Sequence, residues 1–127
     1  MAKILIADDS ETLRTELREV LEGAGHDVVE AVDGTDGLRK AEEAQGVQLI
    51  ISDYNMPGLD GITMIRKIKE IDRYASVPVG MLTTESSKEL KATGKEAGVI
   101  VWFVKPFEPS RLLSTIDKVL EKFAAAS

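Results

Sequence analysis

The chain has 127 residues and a formal net charge of −6, from 22 acidic and 16 basic side chains. This length suits one domain with its own apolar core, and the acidic balance argues against a nucleic-acid or anionic-membrane surface. The absence of cysteine excludes disulfides and thiolate metal sites, and the single histidine, His26, excludes a His-rich zinc site. No apolar run approaches the length of a membrane-spanning helix. We therefore expect a soluble, cytoplasmic domain over residues 1–123 and a frayed tail over residues 124–127.

Four short runs rich in valine and isoleucine predict buried strands. They are continuous rather than alternating in polarity, which is typical of strands covered on both faces of a parallel sheet: Lys3–Ala7, Val47–Ser52, Val77–Leu82 and Val99–Val104. A fifth run, Asp27–Val32, mixes polar and apolar residues and suits an edge strand.

Apolar residues at helical spacing fill the intervals between these strands. Ser10 is placed to cap the first helix, and further helices are expected over Thr35–Gln45, Gly61–Ile71, Ser87–Ala97 and from Pro109 onward. The strands and helices therefore alternate along the chain. This order predicts an α/β fold of three layers, in which helices cover both faces of a doubly wound parallel sheet.

Polar side chains follow four of the five predicted strands. Asp8 and Asp9 follow the first strand, Asp53 the third, Thr83 the fourth and Lys105 the fifth. In open α/β sheets, ligands bind outside the carboxyl ends of the strands. We therefore expect these five side chains to converge on one edge of the sheet.

Three converging carboxylates repel one another unless a cation lies among them. Lys105 supplies one positive charge, and the remaining negative charge suits a divalent ion with oxygen ligands such as Mg²⁺. A carboxylate, a metal, a lysine and a hydroxyl around one point are typical of phosphoryl transfer. An aspartate in such a site can itself be the nucleophile and form an acyl phosphate.

The motifs around these residues resemble the receiver domains of bacterial two-component response regulators, including the stand-alone receivers of chemotaxis. The resemblance spans essentially the whole chain and is carried by Asp8-Asp9, Ser52-Asp53-Tyr54-Asn55-Met56-Pro57, Asp60-Gly61, Met81-Leu82-Thr83-Thr84-Glu85 and Val104-Lys105-Pro106-Phe107. It implies a (βα)5 flavodoxin-like fold with strand order 2-1-3-4-5.

The resemblance also implies a role for each acidic residue. Asp53 corresponds to the phosphoacceptor, which takes a phosphoryl group from the phosphohistidine of a sensor histidine kinase. Asp9, Asp53 and the backbone carbonyl of Asn55 correspond to Mg²⁺ ligands, and Asp8 acts largely through a coordinated water. The protein is then a signalling module rather than an enzyme, and takes part only in its own phosphorylation and dephosphorylation.

Three further residues receive roles in the same way. Lys105 pairs with a phosphoryl oxygen, Thr83 turns its hydroxyl toward the phosphate, and Trp102 is the counterpart of an aromatic switch residue that moves inward. The Lys105–Pro106 bond is expected to be cis. Two residues depart from the family pattern: Trp102 stands where chemotaxis receivers usually carry tyrosine, and Thr84 where a small residue is preferred.

The partners implied are a histidine kinase and a downstream target protein that docks on the face of the fourth helix, fifth strand and fifth helix. In chemotaxis this target is the flagellar motor switch, and in another phosphorelay it is a different protein. We expect a monomer without nucleic-acid or membrane partners.

Two other classes compete with this interpretation. A small phosphatase with an aspartate nucleophile is suggested by Ala31-Val32-Asp33-Gly34-Thr35, although alanine stands where that signature has its nucleophile. A flavodoxin-like FMN carrier would need a phosphate loop rich in serine, threonine and glycine after the first strand, where this chain has Asp8-Asp9.

Overall fold

The computed structural model describes the backbone of residues 1–126 and the side chains of residues 1–124. Its five strands form one parallel sheet in the order β2-β1-β3-β4-β5, which confirms the expected strand order. The strands are β1 Lys3–Ala7, β2 Asp27–Ala31, β3 Val47–Ser52, β4 Val79–Thr83 and β5 Val99–Val104. The helices are α1 Glu11–Gly23, α2 Gly34–Glu43, α3 Gly61–Lys69, α4 Lys88–Ala97 and α5 Pro109–Ala126.

Alternating side chains of the central strands divide the core into two halves. Leu5 and Ile50 pack with helices α2, α3 and α4 on one face of the sheet. Ile4 and Ile51 pack with α1 and α5 on the other face. The sheet is therefore the middle layer of three, as the alternation of strands and helices predicts.

Side-chain caps define where four of the helices begin. Ser10 Oγ accepts a hydrogen bond from the N–H of Leu13, and Asp33, Asp60 and Ser87 accept equivalent bonds at the starts of α2, α3 and α4. Such caps satisfy backbone donors that have no partner inside the helix. Because these helices follow strands of a parallel sheet, their first turns lie toward the carboxyl edge of the sheet.

The prediction that the fifth strand is buried on both faces is wrong. β5 lies at the edge of the sheet, and Ile100 and Val104 are 51% and 47% exposed. A continuous apolar run does not distinguish a central strand from an edge strand that carries an exposed apolar surface. Among the described residues, no helix combines the length and apolarity needed to cross a lipid bilayer.

The boundaries of β4 also differ from the prediction, because the strand begins two residues later, at Val79. The N–H of Val77 donates to the carbonyl of Tyr74 within a turn, and Pro78 has no N–H to donate. The turn follows a short 3₁₀ helix, Asp72–Tyr74, which the periodicity does not predict. α5 is helical through Ala126, and residue 127 of the expected frayed tail lies outside the described residues.

We predict that Gly61→Ala destabilises the fold by about 2–4 kcal/mol in urea unfolding. A Cβ at residue 61 would lie 2.0 Å from the backbone oxygen of Asp53, so α3 or the loop before it must shift. The matched control is Gly23→Ala at the end of α1, where a Cβ meets no atom within 4 Å. Alanine favours a helix more than glycine does, so this control should be neutral or slightly stabilising. Equal unfolding free energies for the two variants would contradict the close approach.

Candidate phosphoryl-transfer site

The pairing of β1 with β3 brings two of the predicted acidic residues together. Ala7 lies opposite Ser52 in the register, so Asp8 and Asp53 follow their strands side by side. The N–H of Asp53 donates to the carbonyl of Ala7 at 2.9 Å and continues the pairing past the strand. Both side chains are buried, with Asp8 3% and Asp53 7% exposed.

The ammonium group of Lys105 lies between these two carboxylates. Its Nζ is 2.8 Å from Oδ2 of Asp53 and 2.9 Å from Oδ2 of Asp8. Lys105 follows β5, its own N–H donates to the carbonyl of Thr83, and its peptide bond to Pro106 is cis, as expected. The structure therefore brings Lys105 together with Asp8 and Asp53 at one edge of the sheet, as the sequence predicts.

Burial and ion pairing determine the pKa values of this cluster. Burial raises the pKa of the Asp8 carboxyl, and the hydrogen bonds from Lys105 and from the N–H of Ser10 offset only part of that effect. Burial alone would lower the pKa of Lys105, but hydrogen bonds and charge from Asp53 and Asp8 together outweigh it and raise this pKa. Lys105 is therefore a fixed positive charge at neutral pH.

Asp9 completes a group of three carboxylates with the chemistry of a hard-cation site. It is exposed at the mouth of the cluster, and one oxygen from each of Asp8, Asp9 and Asp53 lies within 4.8 Å of the others. Each buried carboxylate already accepts one backbone N–H: that of Ser10 for Asp8 and that of Tyr54 for Asp53. A carboxylate has about four lone-pair positions, so both retain capacity for an ion or a water. Carboxylate oxygens with room for water suit Mg²⁺, which binds one or two carboxylates directly and keeps several waters that a further carboxylate can contact.

The other predicted site residues form a second network, centred on Glu85. The N–H of Glu85 donates to the hydroxyl of buried Thr83 at 3.3 Å, and its carbonyl accepts the indole N–H of Trp102 at 2.9 Å. Its carboxylate accepts the side-chain amide of Asn55 at 3.1 Å. Thr83, Asn55 and Trp102 are therefore linked to one another through Glu85, between the site and the edge strand.

A close approach of α3 shapes the floor of the site. The N–H of Gly61 donates to the carbonyl of Tyr54, and the hydroxyl of Ser52 donates to the backbone carbonyl of Asp53 at 2.7 Å. These bonds hold the backbone on both sides of Asp53. The backbone from which the Asp53 carboxylate extends is therefore held in place, and the N–H of Tyr54 and the ammonium of Lys105 bond the carboxylate itself.

A scan against family models matches residues 4–117 to the response regulator receiver domain. The fold and this carboxylate–lysine site already define a receiver class of protein, and the match covers most of the chain. The chain therefore belongs to the response regulator receiver family.

Curated relatives and solved structures agree with this assignment. The chain is 34% identical to chemotaxis protein CheY1 of Helicobacter pylori over 119 residues, which is 93% of this chain and 96% of that protein. It is 35% identical to a CheY homolog of Campylobacter jejuni, over 93% of this chain and 92% of the homolog. The structure of CheY4 from Vibrio cholerae matches with a TM-score of 0.89 at 42% identity, covering 94% of this chain and 98% of that one. A CheY-like receiver from Methanospirillum hungatei has a TM-score of 0.93 at 25% identity, covering 100% of this chain and 99% of that one.

Sequence reasoning did not assign a role to two residues that the structure connects to the site. Glu85 belongs to the motif after β4, and its place two residues after Thr83 is the one signal of its role that the sequence offers. Arg14 lies in the first turn of α1 and donates from Nη1 to the backbone carbonyl of Asp8. No sequence pattern distinguishes it from Arg18, the other basic residue of that helix.

We predict that Asp8→Asn raises the free energy of unfolding at neutral pH without Mg²⁺. Because the pKa of Asp8 is raised on folding, the folded state binds the proton more tightly than the unfolded state does. Ionisation of Asp8 therefore lowers the free energy of unfolding, and the full loss is reached above the pKa that Asp8 has in the folded state. The loss fades as the pH falls toward 3.8, the ordinary pKa of an aspartate. Asparagine cannot ionise and avoids the cost.

The measurement is urea unfolding of both proteins between pH 4 and pH 7.5 in EDTA. The free energy of unfolding of Asp8→Asn should exceed that of the wild type by an amount that increases with pH across this range. A variant less stable than the wild type at every pH would show that the ion pair with Lys105 matters more than the burial cost.

Proposed function

We propose that this chain is a phosphorylation-dependent signalling receiver. Asp53 accepts a phosphoryl group from the phosphohistidine of a sensor histidine kinase, with Mg²⁺ as the metal cofactor. The modified protein then binds a downstream target through the face formed by α4, β5 and α5. The observation that carries the proposal is the placement of the Lys105 ammonium between the buried carboxylates of Asp8 and Asp53.

The transfer itself requires a carboxylate oxygen as nucleophile. An Asp53 oxygen attacks the phosphorus, the phosphorus–nitrogen bond to the histidine breaks, and the imidazole leaves with a proton. Asp53 becomes an acyl phosphate, which water later hydrolyses. The hydrogen bond from the N–H of Tyr54 to Oδ1 and the ion pair of Lys105 with Oδ2 orient the carboxylate for this attack.

Charge neutralisation supplies most of the remaining catalysis. Lys105 is already beside Asp53 and pairs with a phosphoryl oxygen as negative charge arrives. Bound at Asp8, Asp9, Asp53 and the backbone carbonyl of Asn55, Mg²⁺ would neutralise the phosphoryl oxygens. The three-carboxylate geometry supports the first three of these ligands, whereas the Asn55 carbonyl rests on the family resemblance.

The network around Glu85 provides a route from the site to the target surface. A phosphoryl group brings a charge of about −1.5 to −2 and new hydrogen-bond acceptors. If the hydroxyl of Thr83 turns to such an acceptor, its bond with the N–H of Glu85 is disturbed, and Glu85 also holds the indole of Trp102. The backbone of Glu85 therefore provides the physical link between Thr83 and Trp102 that their proposed switch role requires.

The proposed target surface has apolar and basic character. Ile100 and Val104 are half exposed on β5, and Lys91 and Lys95 are exposed on the neighbouring α4. Exposed apolar groups beside charged ones are common at protein interfaces. The similarity to chemotaxis proteins favours a flagellar motor switch as the target of this chain. If the chain works in another phosphorelay, the target is a different protein.

We predict that acetyl phosphate with Mg²⁺ adds one phosphoryl group per chain and that Asp53→Asn abolishes the addition. Asparagine keeps the size of the side chain but has no nucleophilic carboxylate. Intact-protein mass spectrometry measures the adduct, and EDTA should prevent its formation.

The matched control is Asp60→Asn, which removes one carboxylate from the cap of α3, where asparagine caps equally well. It should be phosphorylated like the wild type. Addition of phosphate to Asp53→Asn would contradict the assignment of the nucleophile. Sustained turnover of many phosphomonoesters by the wild type would instead support the phosphatase alternative.

We also predict that phosphorylation changes the fluorescence of Trp102, the one tryptophan of the chain. Its indole is bonded to Glu85, so movement of that backbone alters its environment. Acetyl phosphate should change the emission of the wild type and of Asp60→Asn, and leave that of Asp53→Asn unchanged. An unchanged emission in wild-type protein that mass spectrometry shows to be phosphorylated would remove Trp102 from the switch.

A further inference from the structure

Arg14 connects the acidic loop after β1 to a cluster of charges on α1 and β2. Its Nη1 donates to the backbone carbonyl of Asp8 at 2.7 Å, and its Nε lies 3.2 Å from Oε1 of Glu30. The side chain is only 12% exposed. Its guanidinium therefore spans two acceptors, one in the acidic loop and one on the edge strand β2.

The second acceptor, Glu30, also bonds another arginine through its other oxygen. Oε2 of Glu30 accepts a hydrogen bond from Nη1 of Arg18, one turn along α1, at 2.7 Å. Glu30 thus lies between two arginines, of which only Arg14 also bonds the acidic loop. The guanidinium is planar, so anchoring Nε at Glu30 also sets the direction in which Nη1 points.

We propose that Arg14 is a positioning residue for the divalent-cation site, acting through the peptide between Asp8 and Asp9. The inference rests on the proposed function, because it assumes that the carboxylate cluster binds Mg²⁺. Glu30 is the anchor that keeps Arg14 in its working orientation.

The peptide group explains how a bond to a carbonyl orients a carboxylate. The carbonyl of Asp8 and the N–H of Asp9 belong to one planar unit, so fixing the carbonyl fixes the direction in which the chain enters Asp9. The N–H of Asp8 is already bonded to the carbonyl of Ala31, and Oδ1 of Asp8 accepts the N–H of Ser10. Asp9 is exposed, so its position depends on the backbone on either side of it.

Charge and positioning predict opposite effects of removing Arg14. Loss of a positive charge near the carboxylates would strengthen the binding of a cation, because it removes repulsion. Loss of positioning would weaken it, and groups that orient metal ligands are typically worth about 10- to 100-fold in affinity. We expect Arg14→Met to bind Mg²⁺ about tenfold more weakly than the wild type in isothermal titration calorimetry at constant ionic strength.

Arg18→Met is the matched control. It removes the same charge from the same helix and from the same glutamate but does not touch the acidic loop. Its Mg²⁺ affinity should stay within about twofold of the wild type. Arg14→Lys keeps the charge without the planar pair of donors, so its affinity should fall as well, by about threefold or more.

Glu30→Gln tests the anchor. If Glu30 acts through Arg14, its replacement weakens Mg²⁺ binding in the wild-type background and has no further effect in Arg14→Met. Urea unfolding of every variant identifies losses that come from the fold alone. Should Arg14→Met fail to fold, Arg14→Lys and Glu30→Gln carry the test.

Unchanged or tighter Mg²⁺ binding by Arg14→Met, or full affinity in Arg14→Lys, would overturn the positioning role. An equal loss in Arg18→Met would do so too, because it would show an effect of charge or of helix stability. If the wild-type protein does not bind Mg²⁺ in the same calorimeter, the metal part of the proposed function fails instead. The two failures are therefore distinguishable.

Discussion

The contact on which the site depends is the ion pairing of Lys105 with two buried carboxylates. Asp8 and Asp53 lie at the ends of adjacent strands, and burying two such charges together is costly unless a cation compensates them. The strand order puts β4 between β3 and β5, which the lysine follows, so the cation must reach past β4 to Asp53 and past β3 as well to Asp8. The long, flexible stem of lysine spans that gap, and its compact ammonium contacts both carboxylates at once.

The two sides of the site are held by different kinds of hydrogen bond. Around Asp53, the proposed nucleophile, the backbone N–H donates to the carbonyl of Ala7 and the backbone carbonyl accepts the hydroxyl of Ser52, so the backbone is held in place. Around Glu85, three side chains from different segments are each held by a single hydrogen bond: Asn55 and Trp102 donate to Glu85, and the hydroxyl of Thr83 accepts its N–H. Such an arrangement suits a protein in which one charge is added and the consequence is read some distance away.

The position of β5 at the edge of the sheet connects the site to the protein surface. As the last strand of the sheet it delivers Lys105 to the site, and its outer side exposes Ile100 and Val104. Trp102 lies between these two residues in the strand and bonds back to Glu85. One strand therefore contains the aromatic residue and part of the proposed target surface, and it leads directly into the compensating cation.

Apolar periodicity alone determined the alternation of strands and helices, because the burial of each element depends on its own pattern of residues. The position of Asp8, Asp53 and Lys105 at strand ends was equally visible, and with the rule for ligand sites in α/β sheets it predicted their convergence. The strand order came from the family motifs rather than from periodicity. Only the tertiary structure decided that Ile100 and Val104 of β5 are left half exposed, that Glu85 joins Thr83 to Trp102, and that Arg14 bonds the acidic loop. These features depend on which segments become neighbours in space, and a local pattern of polarity carries no information about that.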